Sequence, residues 1–295
     1  MTTETSPATF DSRKRTILGD FREIFGDFWA YRFLLYQLTL RDIRIRYKQA
    51  IMGFGWAILM PLMVVGSGLI VRSAMAYLAD QPFASEIIAG VALKAVPWSF
   101  FVSSIGFANQ SLVRHFSLVT KIYFPREVLP LSAVLAGVFD SLIGGVALLI
   151  VLPFLGVDFS WGLLWIPCLA VLLICFTVAA GTFLACMNLF FRDVKYIVQV
   201  ILTFGIFLTP VFFEPIMFGE TGAQIMMLNP LSPILEGTRL GVVEGHNLFT
   251  PLISEAGTVV WQPWYLAYSA AWAIPGLFIS LITFHRLEFL FAEYA

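Results

Sequence analysis

Three ionisable side chains, Arg72, Lys94 and Asp140, interrupt otherwise apolar runs in this 295-residue chain. A charge held inside such a run is costly, so each marks an ion or substrate path or a contact between helices. Arg72 and Lys94 fall toward one end of their runs, where long stems can carry the charge to water or to Asp80 and Glu86. A share in a path for an anionic substrate is the alternative for both. Asp140 lies deep, beside Ser141. A proton relay needs several such groups, so a hydrogen bond or salt bridge between helices is the reading favoured for it.

Group-transfer chemistry is missing from the rest of the chain. None of its lysines follows a glycine, so it has no Gly-Lys-Ser/Thr loop to cradle a nucleotide phosphate. His115, His246 and His285 are scattered, with no HExxH pair, and no GxSxG nucleophile turn occurs. Cys168, Cys175 and Cys186 share one apolar run without a histidine nearby and read as small buried residues. No catalytic residue, no metal ligand and no cofactor of its own are expected. Any uphill work must draw its energy from a separate protein.

The elements that carry these residues are long and apolar. Runs at Met52–Tyr77, Ile88–Ser111, Val128–Val157, Trp161–Phe191, Tyr196–Phe213 and Trp264–His285 reach or approach the ~20 residues that cross a bilayer. The chain is 59% hydrophobic and 13% charged, where soluble domains hold about 45–50% and 25%. The expected fold is an all-α integral membrane protein of about six transmembrane helices. Fifteen of the 18 Lys and Arg residues then fall on one side: Arg13, Lys14, Arg15, Arg22, Arg32, Arg41, Arg44, Arg46, Lys48, Arg114, Lys121, Arg126, Arg192, Lys195 and Arg286. Basic flanks stay in the cytoplasm, which puts both termini inside. The opposite loops are acidic, with Asp80, Glu86, Asp158, Glu214, Glu220, Glu236, Glu244 and Glu255.

Four stretches are not spans. Residues 1–27 read as a polar, disordered cytoplasmic tail, followed by an amphipathic interface helix at 28–49 and a permease-type membrane domain at 50–295. In the interface helix Trp29, Phe33, Tyr36, Leu40, Ile43 and Tyr47 recur at steps of four and three, with Arg41, Arg44 and Lys48 on the other side. The inner loop at 112–127 is too polar to span and too apolar to be simply solvated. A short helix is expected there, ending near Tyr123 or Phe124 because Pro125 disfavours helix at the residue before it. Exposed Phe116, Ile122, Tyr123 and Phe124 would invite a docking partner. The long outer connection at 214–263 holds two pieces, 223–228 and 234–243, too short to cross. They are separated by Asn229, Pro230, Ser232 as a helix cap and Pro233. Such pieces either re-enter the membrane, buried in protein, or lie on the outer surface as a lid.

Four segments in order carry a resemblance: RYKQAIMGFGWAILMPL at Arg46–Leu62, KIYFPREVLPLSAVLAGVFD at Lys121–Asp140, FFRDVKYIVQVILTFGIFLTPVFF at Phe190–Phe213 and NPLSPILEGTRLGVV at Asn229–Val243. Together they resemble the type-2 ABC transporter permeases that export polysaccharides, among them O-antigen, capsule and teichoic acid. The resemblance runs from about Phe28 to the end. It implies a half-transporter in the bacterial inner membrane, two copies of this chain with two copies of an ABC ATP-binding subunit that holds ATP and Mg, moving a lipid-linked polysaccharide. It also implies coupling to that ATPase through the 112–127 loop, with Phe116, Lys121, Tyr123, Phe124, Pro125, Arg126 and Glu127 as contacts. Short re-entrant gate helices, with Asn229, Pro230 and Arg239, are implied before the last span. Arg72 departs from the usually uncharged first span, and the stretch Gly245–Pro263 is longer than the pattern leads one to expect.

A glycan path would use rings, whose faces give apolar contact to sugar C–H groups without gripping any one unit. Trp56, Trp98, Phe100, Phe204, Phe207 and Phe212 are the candidates, with Arg72 near the exit, though rings also face lipid readily. Two other readings stay open: a type-2 ABC permease for a drug or lipid, and an integral-membrane glycan-processing enzyme. No nucleic-acid partner is expected.

Overall fold

The computed structural model describes residues 17–48, 50–78, 85–115, 124–158, 160–254, 257–288 and 291. Two helices, α1 (Ile17–Ala30) and α2 (Arg32–Tyr47), precede the first apolar helix, α3 (Gly55–Leu78). There follow α4 (Ser85–Asn109), the single turn α5 (Ser111–Arg114), α6 (Val128–Val151), α7 (Trp165–Phe190) and α8 (Val194–Leu208). Short α9 (Gly219–Met227) and α10 (Ser232–Val242) lead to a two-stranded hairpin and the last long helix, α11 (Pro263–Leu287). Strands β1 (Leu252–Ile253) and β2 (Val259–Trp261) pair antiparallel, Leu252 opposite Trp261 and Ile253 opposite Val259, with an irregularity between.

Among the described residues five helices are long and apolar enough to cross a membrane. The run expected at Tyr196–Phe213 is instead the 15-residue α8, about 22 Å long at ~1.5 Å per residue, against a ~30 Å hydrocarbon core. Pro210 explains the early stop. It lacks an N–H and forces extended backbone on Thr209, which has φ −119° and ψ 140°.

A second difference lies at the start. Helix begins at Ile17, inside the stretch read as a disordered tail, and the expected single interface helix is broken at Tyr31 into α1 and α2. Ile24 and Asp20 of α1 are buried, and α1 lies against α11. The aromatic residues Trp29, Phe33 and Tyr36 remain exposed, while Leu38 of α2 is buried, flanked by Leu34 and Leu35.

Helix α4 sits at the centre, packed on α3, α6 and α7, and α11 runs along α7. Their shared core contains Trp98, Phe100, Leu169, Leu173, Ile234 and Leu235. Between lipid-facing helices, close packing rather than escape from water holds such a core together. Helices α3 and α8 are only lightly packed, each keeping a broad apolar face uncovered, with Met63 and Ile70 on α3 and Ile201 and Phe204 on α8.

Candidate functional site

Charge is sorted to two ends of this bundle. At the acidic end, α10 is buried along its whole length, inserted among α4, α7 and α11. It does not lie on the surface as a lid. Pro233 is in its first turn, and Ser232 is its first helical residue rather than a cap, its hydroxyl buried without a partner. Asn229 fixes the entry: its amide donates to Thr209 Oγ1 at 2.9 Å, and its Oδ1 accepts from the Leu231 N–H at 3.1 Å. From α11, Ser269 donates to the Pro230 carbonyl at 2.7 Å and Tyr268 to that of Leu228 at 2.8 Å.

Glu236 of α10 is the hub. It receives Lys94 of α4 at 3.3 Å and Arg239 of its own helix at 2.6 Å. Lys94 also donates to the Phe213 carbonyl at 2.7 Å, and Arg239 reaches Glu244 at 2.6 Å. Gly90 lets Arg239 cross α4, since an added Cβ would stand 3.2 Å from its Cδ. Arg72 of α3 pairs with Glu214 at 3.4 Å and touches the Met217 sulfur. The structure thus pairs Arg72 with Glu214 and Lys94 with Glu236. Asp80 and the Glu86 side chain lie outside the described residues.

At the basic end, Arg46 of α2 pairs with Asp140 of α6, donates to the Ala133 carbonyl at 3.2 Å and stacks over Phe107 at 4.0 Å. Tyr47 donates to the same carboxylate. Asp140 is thus a helix-to-helix contact, as its solitary position suggested. One turn back, Asp42 accepts from Ser132 at 3.1 Å and from Arg41 at 3.0 Å. Burial pushes the His115 imidazole below its usual range. In its neutral form Nδ1–H donates to Ser111 O at 2.9 Å while Nε2 accepts from Arg41 at 2.7 Å.

The loop expected to couple to an ATPase is described only in part. Phe116, Lys121 and Tyr123 lie outside the described residues. Phe124 was expected on an exposed docking face but is 8% exposed, packed with Leu38, Leu112, Phe284 and Phe291. Pro125 is half-buried. Arg126 and Glu127 also turn inward: Arg126 donates to the Glu288 carbonyl and lies over Phe291, and Glu127 is buried against His285 Nδ1 at 3.1 Å. His285 Nε2 faces Glu23 at 3.5 Å, and Arg286 holds Asp20 at 2.7 Å. The loop's exit is therefore fastened to α11, and α11 in turn to α1 through His285–Glu23 and Arg286–Asp20. Nothing in the sequence signalled this joint, because its members come from three distant segments.

Glu127, His285 and Glu288 each place a donor atom within 4.8 Å of the others, a set that could hold a divalent cation. Both nitrogens of His285 already face carboxylates, which suits an imidazolium as the counter-charge.

The candidate path residues divide. Trp98, Phe100 and Phe212 are buried within the chain, whereas Trp56, Phe204 and Phe207 are exposed. Phe212 packs against α3 where Gly68 leaves room; a Cβ there would stand 2.7 Å from its ring. Phe207 meets Phe212 edge-on at 6.2 Å. Trp56 and Phe100 share a cleft of about 480 Å³ with Arg46, Tyr47 and Asp140.

Five long apolar helices with a buried, charge-locked short helix define a multi-pass α-helical membrane protein. Among curated proteins it is similar to O-antigen export system permease protein RfbA of Myxococcus xanthus, 26% identical over 71% of this chain and 80% of that protein. Two proteins of the same name from Klebsiella pneumoniae are each 25% identical over 88% of this chain and 94% of their own length. These relatives bear out the resemblance to the type-2 ABC permeases of polysaccharide export. They are named as permeases and not as enzymes. No protein-family model matches the chain.

Proposed function

We propose that this chain is the membrane-spanning subunit of an ATP-driven exporter that moves a lipid-linked polysaccharide out across the bacterial inner membrane. The observation that carries the reading is its similarity, over up to 88% of its length, to permeases named for O-antigen export. The basic end, where Arg41, Arg46, Arg114 and Lys195 gather, faces the cytoplasm under the positive-inside rule.

Two copies pack about a two-fold axis and cover each other's sparsely packed α3 and α8. The exposed Trp56, Phe204 and Phe207 then line a shared path, and the α10 segment closes it at the outer end. Two ATP-binding subunits, which carry the ATP and Mg, push on the 112–127 loop. Because Arg126 and Glu127 are tied to the end of α11, and His285 of α11 to Glu23 of α1, a push there moves the interface helices and the last span together. Phe116 and Tyr123 remain the candidate anchors for the ATPase.

The test is biochemical. The chain purified alone in nanodiscs should hydrolyse no ATP above a protein-free control, and hydrolysis should follow the ATP-binding subunit that co-purifies with it. Robust hydrolysis by the isolated chain would contradict the proposal.

A further inference from the structure

A second cleft, of about 420 Å³, opens between α4, α5 and the start of α8. Its wall includes Asn109, Gln110, Arg114, Lys195, Gln199 and Thr203. Among the described residues neither Arg114 nor Lys195 forms an ion pair. Arg114 is steered rather than neutralised: the Gln110 amide oxygen accepts from it at 3.0 Å, and its guanidinium lies 5.3 Å from the centre of the Phe107 ring. Lys195 rests 4.7 Å over Tyr196. Asn109 is 2% exposed, and its Oδ1 has no hydrogen-bond partner. An amide can accept, or turn and donate.

The neighbouring cleft, which shares Ser103 and Phe107 of α4 with this one, makes the contrast. There Arg46 is already satisfied by Asp140, the Ala133 carbonyl and the Phe107 face, so among the described residues that cleft carries no free cation. In the α4–α8 cleft two unpaired cations and a row of amides face open space. A guanidinium fork and an ammonium are the pair that meets a phosphate ester, the fork through parallel N–H bonds and the ammonium as a point charge. Amide side chains beside them suit the hydroxyls of an attached sugar.

We infer that the α4–α8 cleft binds the phosphate-ester headgroup of the lipid that carries the glycan, with Arg114 and Lys195 on the phosphate and Asn109 and Gln199 on the first sugar. This rests on the export reading above. It adds the part of the substrate recognised before transport and the side chains that recognise it. An ordinary anionic membrane lipid presents similar chemistry, so the test separates the two.

The full-length chain in nanodiscs of neutral phosphatidylcholine is titrated with three probes: a long-chain prenyl diphosphate, the corresponding prenyl alcohol, and phosphatidylglycerol. Binding is read from the shift in thermal unfolding. The diphosphate should bind, the alcohol should not, and phosphatidylglycerol should bind at least tenfold more weakly. Arg114→Gln with Lys195→Gln should weaken the diphosphate by roughly tenfold or more, as loss of charge-assisted bonds requires. Arg192→Gln, which removes an exposed cation outside this cleft, should leave it unchanged. Equal binding of phosphatidylglycerol, or equal loss with Arg192→Gln, would overturn the assignment and leave a general attraction of anions to this end. Undiminished binding by the double variant would also overturn it. Each of these results leaves export standing, whereas normal surface glycan in cells lacking the chain would sink the export reading whatever the cleft binds.

Discussion

The two ends of the bundle both use charge, but they use it differently. At the acidic end, Lys94 and Glu236 retain 2% and 0% of their side-chain exposure, and the partners lie on helices that must stay in register. At the basic end, Arg46 and Asp140 keep 11% and 20%, and the pair fastens a peripheral helix to the body. A buried pair that loses one partner strands the other charge, and that penalty is large. A partly wet pair lets water take the missing partner's place. The acidic end is thus built as a lock, and the basic end as a hinge that tolerates adjustment.

The largest expected effect follows from removing the hub. Glu236→Gln should leave Lys94 and Arg239 short of counter-charge and lower stability by about 3–5 kcal/mol, read as a fall in thermal unfolding temperature of the purified protein. Replacing Lys94 and Glu236 together by leucines should cost less than Glu236→Gln alone, because no charge of that pair is then stranded. If the single and double variants unfold alike, the lock is not electrostatic.

A middle effect belongs to the hinge. Asp140→Asn removes the charge and replaces one of the two oxygens that accept from Arg46 and Tyr47 by an NH2 donor, and should cost on the order of 1–2 kcal/mol. It should also loosen α2, seen as a broader distance distribution between spin labels placed on α2 and α6. A distribution as narrow as in the unaltered protein would mean that the apolar contacts around Leu38 hold α2 by themselves.

The smallest effect is expected at Arg72. Its partner Glu214 is 30% exposed and 3.4 Å away, so Arg72→Gln should cost less than about 1 kcal/mol. Export should slow nonetheless if Arg72 borders the exit. A large loss of stability would instead move Arg72 into the lock.

Much of this was legible because membrane proteins write their topology in long periodicities. The apolar runs, the basic and acidic sides and the two short pieces around Asn229–Val243 are local patterns, and the structure places helices at each. Pro210 was legible too, as the residue that stops α8 at Leu208, but a hydropathy pattern continues smoothly through it to Phe213. The pairings were not legible. Lys94 meets Glu236 across 142 residues, and Arg286 meets Asp20 across 266, distances over which charge patterns carry no register. Helix α1 was missed for the same reason: its buried Asp20 looks like a tail residue until Arg286 is placed beside it. Phe124 misled because an aromatic residue in a basic loop looks like a docking anchor. Here it fills a core completed by Phe284 and Phe291 from the far end of the chain.

The most direct test of the account is to delete the gene for this chain from its source cell and measure where the glycan goes. The account predicts that synthesis continues, that lipid-linked polysaccharide accumulates inside, that none reaches the surface, and that the unaltered chain restores display. Normal surface polysaccharide after deletion, or arrested synthesis that no downstream block explains, would contradict it.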